Sequence, residues 1–229
     1  MARLHLTVEG PTEQAFAAAL LRPHLANHGV YVCRIELAAH AKKKGEVHRG
    51  GLRRYLPFRN DVLRRLKEDK SGDVFLSTMI DLYGLPNDFP KSDASKSEQD
   101  PYRRVEAMER ALATDIGNPR FLPYLQLHEF EAILFADASK IADYYDRHVR
   151  EVEQLRLMAA GVGSPELIDD GQQTAPSKRI ASLIPAYAHE KPTAGPLIAA
   201  AIGLSAIRSK CPHFDAWLRK LETLGQNPQ

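Results

Sequence analysis

Apolar and polar residues alternate from the start of the chain. In Arg3-Leu-His-Leu-Thr-Val8 the residues Leu4, Leu6 and Val8 share one face, which predicts a half-buried β-strand ended by Gly10 and Pro11. Thr12 offers an N-cap to an Ala-rich stretch of helical spacing from Glu13 to Leu25, and Asn27 and Gly29 supply its stop. Val30 to Leu37 reads as a second strand, and a helix over 60–68 turns Val62, Leu63 and Leu66 toward the sheet. Val74 to Ile80 is the most apolar short run of the first half and predicts a central parallel strand, with Asp81 at its C-terminal end. After a polar loop from Leu82 to Asp100 come a helix over 102–115, a strand over 121–127 and a helix opened by His128. From there on only helical spacing recurs, over 138–145, 146–159, 177–188, 196–203 and 213–224. This order predicts an α/β fold: a Rossmann-like parallel sheet with helices on both faces over residues 1–136. A helical region over 137–229 is appended and packed on that core.

Composition narrows the picture. A chain of 229 residues that is 44% hydrophobic is long enough for one substantial core without disulfides or structural metals. Cys33 and Cys211 lie far apart and no CxxC or Cys/His ligand spacing accompanies them, so neither a zinc site nor a redox dithiol is expected. The N-terminus enters the first strand without a signal-peptide pattern, and no apolar run approaches the ~20 residues needed to span a bilayer. A cytoplasmic protein is the expectation. The net charge of +2 hides a basic tract, since Lys42 to Lys70 carries eleven Lys/Arg against four Asp/Glu. Within it Lys43, Arg49, Arg53 and Arg54, interleaved with Tyr55, have the character of a phosphate-backbone track. Lys178 and Arg179 offer a further phosphate contact at the head of a helix. Neither a G-x-x-x-x-G-K-[ST] loop nor a G-x-S-x-G elbow occurs, so ATP hydrolysis by this chain alone is not expected.

Ligands of open α/β sheets gather at the C-terminal ends of the strands. Three acidic groups fall at such ends: Glu9 with Glu13 one helical turn later, Asp81, and the pair Glu129 and Glu131. Carboxylates brought together repel one another unless a divalent cation neutralises them. Mg²⁺ or Mn²⁺ suits an all-oxygen set of this kind. Glu9, Asp81 and Glu131 are the candidate ligands, Glu13 and Glu129 complete the site or position water, and His128 is a candidate proton shuttle beside Glu129. Each has a plainer use as a turn or helix-dipole residue.

Val8-Glu9-Gly10-Pro11-Thr12-Glu13 after a first strand, followed by a core strand ending in Asp81, resembles the Toprim domain of topoisomerases, primases and OLD-type nucleases. Together with DLYGLP, QLHEFEAILF and CPHFDAWLRKLE, the chain resembles the Toprim-like family of bacterial proteins often encoded beside ABC/SMC-type ATPases, and it is similar to Toprim effectors of the PARIS anti-phage system, which act on tRNA. The resemblance implies a metal-dependent nuclease of DNA or RNA with an ATPase partner on a second chain; the lack of a spanning apolar run argues for no membrane partner, and the sequence leaves a homodimer open. It maps Glu9 onto the Toprim glutamate, Glu13 onto the second carboxylate of ExxxE, and Asp81 onto the first aspartate of Asp-x-Asp. Tyr83 stands where the second aspartate is expected, so a two-metal site needs Asp88, Glu129 or Glu131 to supply that oxygen, whereas with one ion a side chain takes over part of the work. The same replacement favours an alternative, a scaffold that binds an ATPase or nucleic acid without cutting.

Overall fold

The computed structural model describes residues 1–38, 52, 54–90, 98–168 and 174–226. Strand β1 (Ala2–Val8) buries Leu4, Leu6 and Val8 as the alternation requires. It pairs in parallel with β2 (Val30–Leu37) on one side and with β3 (Val74–Asp81) on the other. Strands β4 (Phe121–Leu122) and β5 (Leu125–Gln126) both pair in parallel with β3. The order β2-β1-β3-β4 makes β1 and β3 the inner strands of a parallel, Rossmann-like sheet.

The expected single strand over 121–127 is broken at Pro123, which has no N–H to give to a ladder. The side chain of Thr78 bridges the gap. Its hydroxyl accepts from Tyr124 N at 2.8 Å and donates to Tyr124 O at 2.9 Å.

Helices cover both faces. On one, α3 (Tyr55–Glu68) and α4 (Pro101–Ile116) bury Phe58, Val62, Leu66, Val105 and Leu112 against Leu76 and Ile80 of β3. The helix of α3 begins five residues earlier than its apolar spacing predicted, because both carboxylate oxygens of Asp88 accept from Tyr55 N and cap its first turn. On the other face lies α1 (Pro11–Phe16), continued by a π-helical turn, Ala17–Leu21, and α2 (Arg22–Ala26). The N-cap is Gly10 and not Thr12, since Pro11 takes the first helical position, where its missing N–H costs nothing.

The rest of that face is built by the C-terminal half. A 3₁₀ segment, Phe130–Lys140, leads into α5 (Ile141–Tyr144), α6 (Val149–Ala160), a 3₁₀ turn at Pro165–Leu167, α7 (Pro176–Leu183), α8 (Tyr187–Ile202), α9 (Leu204–Lys210) and α10 (Pro212–Thr223). One continuous apolar cluster joins Leu4, Leu6 and Phe16 to Phe130, Ile198, Phe214 and Leu221. Helix α8 was expected to begin at Pro196, yet it runs through Pro192 and Pro196. Burial of Tyr187, Ala194, Ile198 and Ala199 outweighs the backbone bonds the two prolines forgo. No helix among the described residues is long and apolar enough to cross a membrane.

Helix α8 approaches α1 closely at Gly195. A β-carbon there would stand 3.0 Å from Thr12 Cγ2 and 3.1 Å from Phe130 Cε1. Gly195→Val is therefore expected to lower stability by about 1–3 kcal/mol through overpacking, read as a shift in urea midpoint. An unchanged midpoint would mean that the helices are not held this close.

Candidate metal centre

Because β1 and β3 are parallel neighbours, their C-terminal ends deliver Glu9 and Asp81 to one edge of the sheet. The contact is direct: Glu9 Oε2 accepts the backbone N–H of Asp81 at 2.9 Å. At the same edge β5 ends in a sharp corner, where His128 adopts a left-handed backbone (φ 61°) that few residues with a β-carbon occupy. That corner turns the chain into the 3₁₀ segment and puts Glu129 and Glu131 into the protein, each nearly inaccessible to solvent. Glu13 reaches the group from the first turn of α1.

The five carboxylates sense one another. Burial pushes the proton affinity of Asp81 well above the ordinary range, and the charges of Glu9, Glu13, Glu131 and Glu129 push it further, in that order. Burial likewise raises Glu13, with Glu129 adding to the effect. Glu131 is raised to about 7, first by burial and then by Glu129, although Lys191 opposes the shift. Lys191 Nζ lies 3.2 Å from Glu131 Oε1, and the hydroxyl of Tyr187 donates to the same oxygen at 3.2 Å. Asp81 Oδ1 is buried with no hydrogen-bond partner. An acceptor oxygen kept from both water and donors in an anionic cluster is costly. A divalent cation would relieve it, so the oxygen set fits Mg²⁺ or Mn²⁺. Among the described residues no three of these carboxylates bring oxygens within 4.8 Å of one another, so a shared ion would require side-chain shifts or bridging water at one of them.

The raised acids set a pH dependence. A carboxyl whose folded pKa lies above its unfolded value stabilises the fold at low pH, and that contribution is lost as pH rises through the folded value. For Glu131 the window runs from about 4.5 to about 7. The metal-stripped protein is thus expected to melt at progressively lower temperature between pH 5 and pH 8 on account of this group. A melting temperature that climbs through that range in chelator would contradict the placement of Glu131.

Several expected roles change. Glu13 Oε2 accepts Gly10 N at 2.8 Å, so its carboxylate also closes the first turn of α1. Glu129 does not cap its own 3₁₀ segment. Instead it accepts the backbone N–H of Ser177 and, at 3.1 Å, the Ser177 hydroxyl at the head of α7. That occupies the helix terminus at which Lys178 and Arg179 were expected to meet phosphate. Lys178 is exposed, and Arg179 is turned to Thr174 O and Met158 Sδ. Asp88 is committed to capping α3, so it does not replace the aspartate missing at the exposed Tyr83. Arg54 is exposed at the start of α3, whereas Lys43, Arg49 and Arg53 lie outside the described residues. His128 is buried and lines a cavity of about 290 Å³ with Leu82, Glu98 and Arg104, beside the acidic centre.

Sequence reasoning missed Lys191, Tyr187 and Ser177. Lys191 and Tyr187 belong to α8, whose first turns were hidden by Pro192, so Lys191 fell in a predicted gap between helices.

A family model described as "Domain of unknown function (DUF4276)" matches residues 8–222, nearly the whole chain. No curated protein and no solved structure matches it.

Proposed function

We propose that this chain, which belongs to the DUF4276 family, is a Mg²⁺- or Mn²⁺-dependent phosphodiesterase acting on DNA or RNA. The observation that carries the reading is the unsatisfied, buried Asp81 Oδ1 within a set of mutually repelling carboxylates at the C-terminal edge of a parallel sheet. Glu9, Asp81 and Glu131 are the residues that would hold the ion. When bound, a divalent cation supplies Lewis-acid stabilisation for charge developing on phosphate oxygens.

The chain's own residues do the rest. Glu9, fixed on the Asp81 backbone, keeps the two strand ends in register. Lys191 and the Tyr187 hydroxyl both bond Glu131 Oε1 and fix the direction of its carboxylate. Lys191, bonded to Glu131, is the cation positioned to meet a phosphate oxygen once the carboxylate is engaged elsewhere. Ser177 ties Glu129, and with it α7, to the centre. The resemblance to Toprim nucleases extends the proposal to a cytoplasmic effector of anti-phage defence, released or gated by an ATPase on a second chain, with tRNA among the substrates to test.

The test is incubation of the full chain with labelled DNA, tRNA and other RNA in Mn²⁺. Cleavage that disappears in chelator and in Glu9→Gln supports the reading; an intact panel overturns it. Tyr83, in place of the second aspartate, favours a second reading, a scaffold that binds partners without cutting. Metal-free binding of nucleic acid that Glu9→Gln leaves unchanged would favour it.

A further inference from the structure

The described residues contain one set of three side chains whose metal-ligating atoms all lie within 4.8 Å of one another, and it is not the acidic centre: His24, His28 and Glu222. The two histidines sit four residues apart, at α2 and the turn that follows it, so they project from one side of the chain. Their rings lie 4.9 Å apart between centroids. Glu222 comes from α10, nearly the full length of the sequence away. Its Oε1 is 2.6 Å from His24 Nε2 and 3.8 Å from His28 Nε2.

We propose that His24 Nε2, His28 Nε2 and Glu222 Oε1 form a transition-metal site of the zinc class that fastens α2 to α10. Two imidazoles and one carboxylate match the borderline-soft ions Zn²⁺, Co²⁺ and Ni²⁺, and disfavour Mg²⁺, which demands oxygen. With bonds of about 2.0–2.2 Å in tetrahedral geometry the ligand atoms stand roughly 3.3 Å apart. Side-chain shifts of about an ångström bring the three atoms to that spacing. An open cavity of about 460 Å³, lined by His24, Arg208 and Asp215, leaves room for water as a fourth ligand.

Arg208 is the competitor and also the support. It now bonds both Glu222 oxygens, through Nη1 to Oε1 and through Nη2 to Oε2 at 3.2 Å, and its Nε holds Asp215. Arrival of a metal breaks the His24–Glu222 hydrogen bond and moves Arg208 Nη1 off both Oε1 and His24 Nε2, which it now approaches at 3.4 Å. The bonds to Oε2 and Asp215 persist and orient the ligating carboxylate from outside, as outer-shell partners do. The absence of cysteine–histidine spacing thus excluded one kind of zinc site only, because the third ligand is supplied by tertiary folding.

Titration of the metal-stripped full chain with Co²⁺ in excess Mg²⁺, which fills the all-oxygen centre, tests the site. The expected result is a visible d–d absorption that saturates with one Co²⁺ per chain and is displaced by Zn²⁺. His28→Gln should weaken Co²⁺ at least about 100-fold, beyond the loss of an outer-shell partner. Among the described residues the polar contact of this side chain is the 3.8 Å approach to Glu222 Oε1, so the variant is expected to fold, which circular dichroism checks. Zn²⁺ at 100 times its dissociation constant should raise the melting temperature of the parent by about 5–10 °C and that of His28→Gln by much less. Co²⁺ binding that His28→Gln and His24→Gln leave unchanged, or no d–d absorption at all, overturns the proposal and leaves the group as an ion pair of His24 and Arg208 with Glu222. Glu9→Gln should not alter the signal, so this test stands or falls apart from the nuclease reading.

Discussion

Asp81→Asn is expected to weaken Mn²⁺ binding by at least about 100-fold, a loss larger than that of an outer-shell partner, and to abolish metal-dependent cleavage, while the metal-free protein becomes more stable. The two halves have one cause. Asp81 Oδ1 has no hydrogen-bond partner, and burial, reinforced by the neighbouring carboxylates, drives its proton affinity far up. Asparagine keeps the shape and the backbone N–H that Glu9 Oε2 accepts, but it removes a carboxyl that must either carry a charge in this cluster or hold a proton to avoid it. A purely structural aspartate would behave differently: its loss would lower stability and leave metal binding alone. Calorimetric titration with Mn²⁺ and thermal melts in chelator read the two effects separately. A variant that is destabilised and still binds Mn²⁺ like the parent would contradict the role assigned to Asp81.

Trp217→Ala carries the largest expected loss of stability, about 3–5 kcal/mol, or roughly 10 °C or more in melting temperature for a chain of this size. Trp217 is 3% exposed and lies parallel on Tyr124, with centroids 4.2 Å apart, while His213 stacks on Tyr124 at 5.1 Å. Phe214 meets Trp217 edge-on at 5.6 Å. The indole N–H donates to Ser77 Oγ of β3 at 2.9 Å, which joins α10 to an inner strand. Truncation leaves a cavity and removes that donor. Trp217→Phe keeps most of the ring and loses the donated bond, so about 1–2 kcal/mol is expected. Urea unfolding of both variants checks the order. Equal midpoints for Trp217→Ala and the parent would mean that α10 does not contribute to the core.

The sheet was legible because its signals are local. Leu4, Leu6 and Val8 alternate, Val74 to Ile80 is mostly apolar, and both runs form the inner strands that period and hydrophobicity predict. The carboxylate edge was legible for the same reason, since a residue just past a parallel strand has only one end of the sheet to occupy. What escaped depended on tertiary contacts. Pro192 and Pro196 read as helix breakers, and only the burial of Tyr187 and Ile198 keeps α8 whole. Lys191 was hidden with it. Glu129 could be placed near the edge, but its partner Ser177 lies 48 residues away and no pattern announces the pair. Asp88 was available on sequence as a spare ligand until the fold assigned it to the N–H of Tyr55. The same blindness concealed Glu222 from His24 and His28.

Glu9, Asp81 and Glu131 are proposed to hold a divalent cation. Anomalous diffraction at the manganese edge, from crystals of the full chain grown in Mn²⁺, tests it most directly. The expected map has a peak within about 2–2.5 Å of carboxylate oxygens of Glu9 and Asp81, with Glu131 coordinated or bridged by water and Lys191 moved off its oxygen. A map with no peak at this edge of the sheet, Asp81 Oδ1 still without a partner and Lys191 still on Glu131, would contradict it.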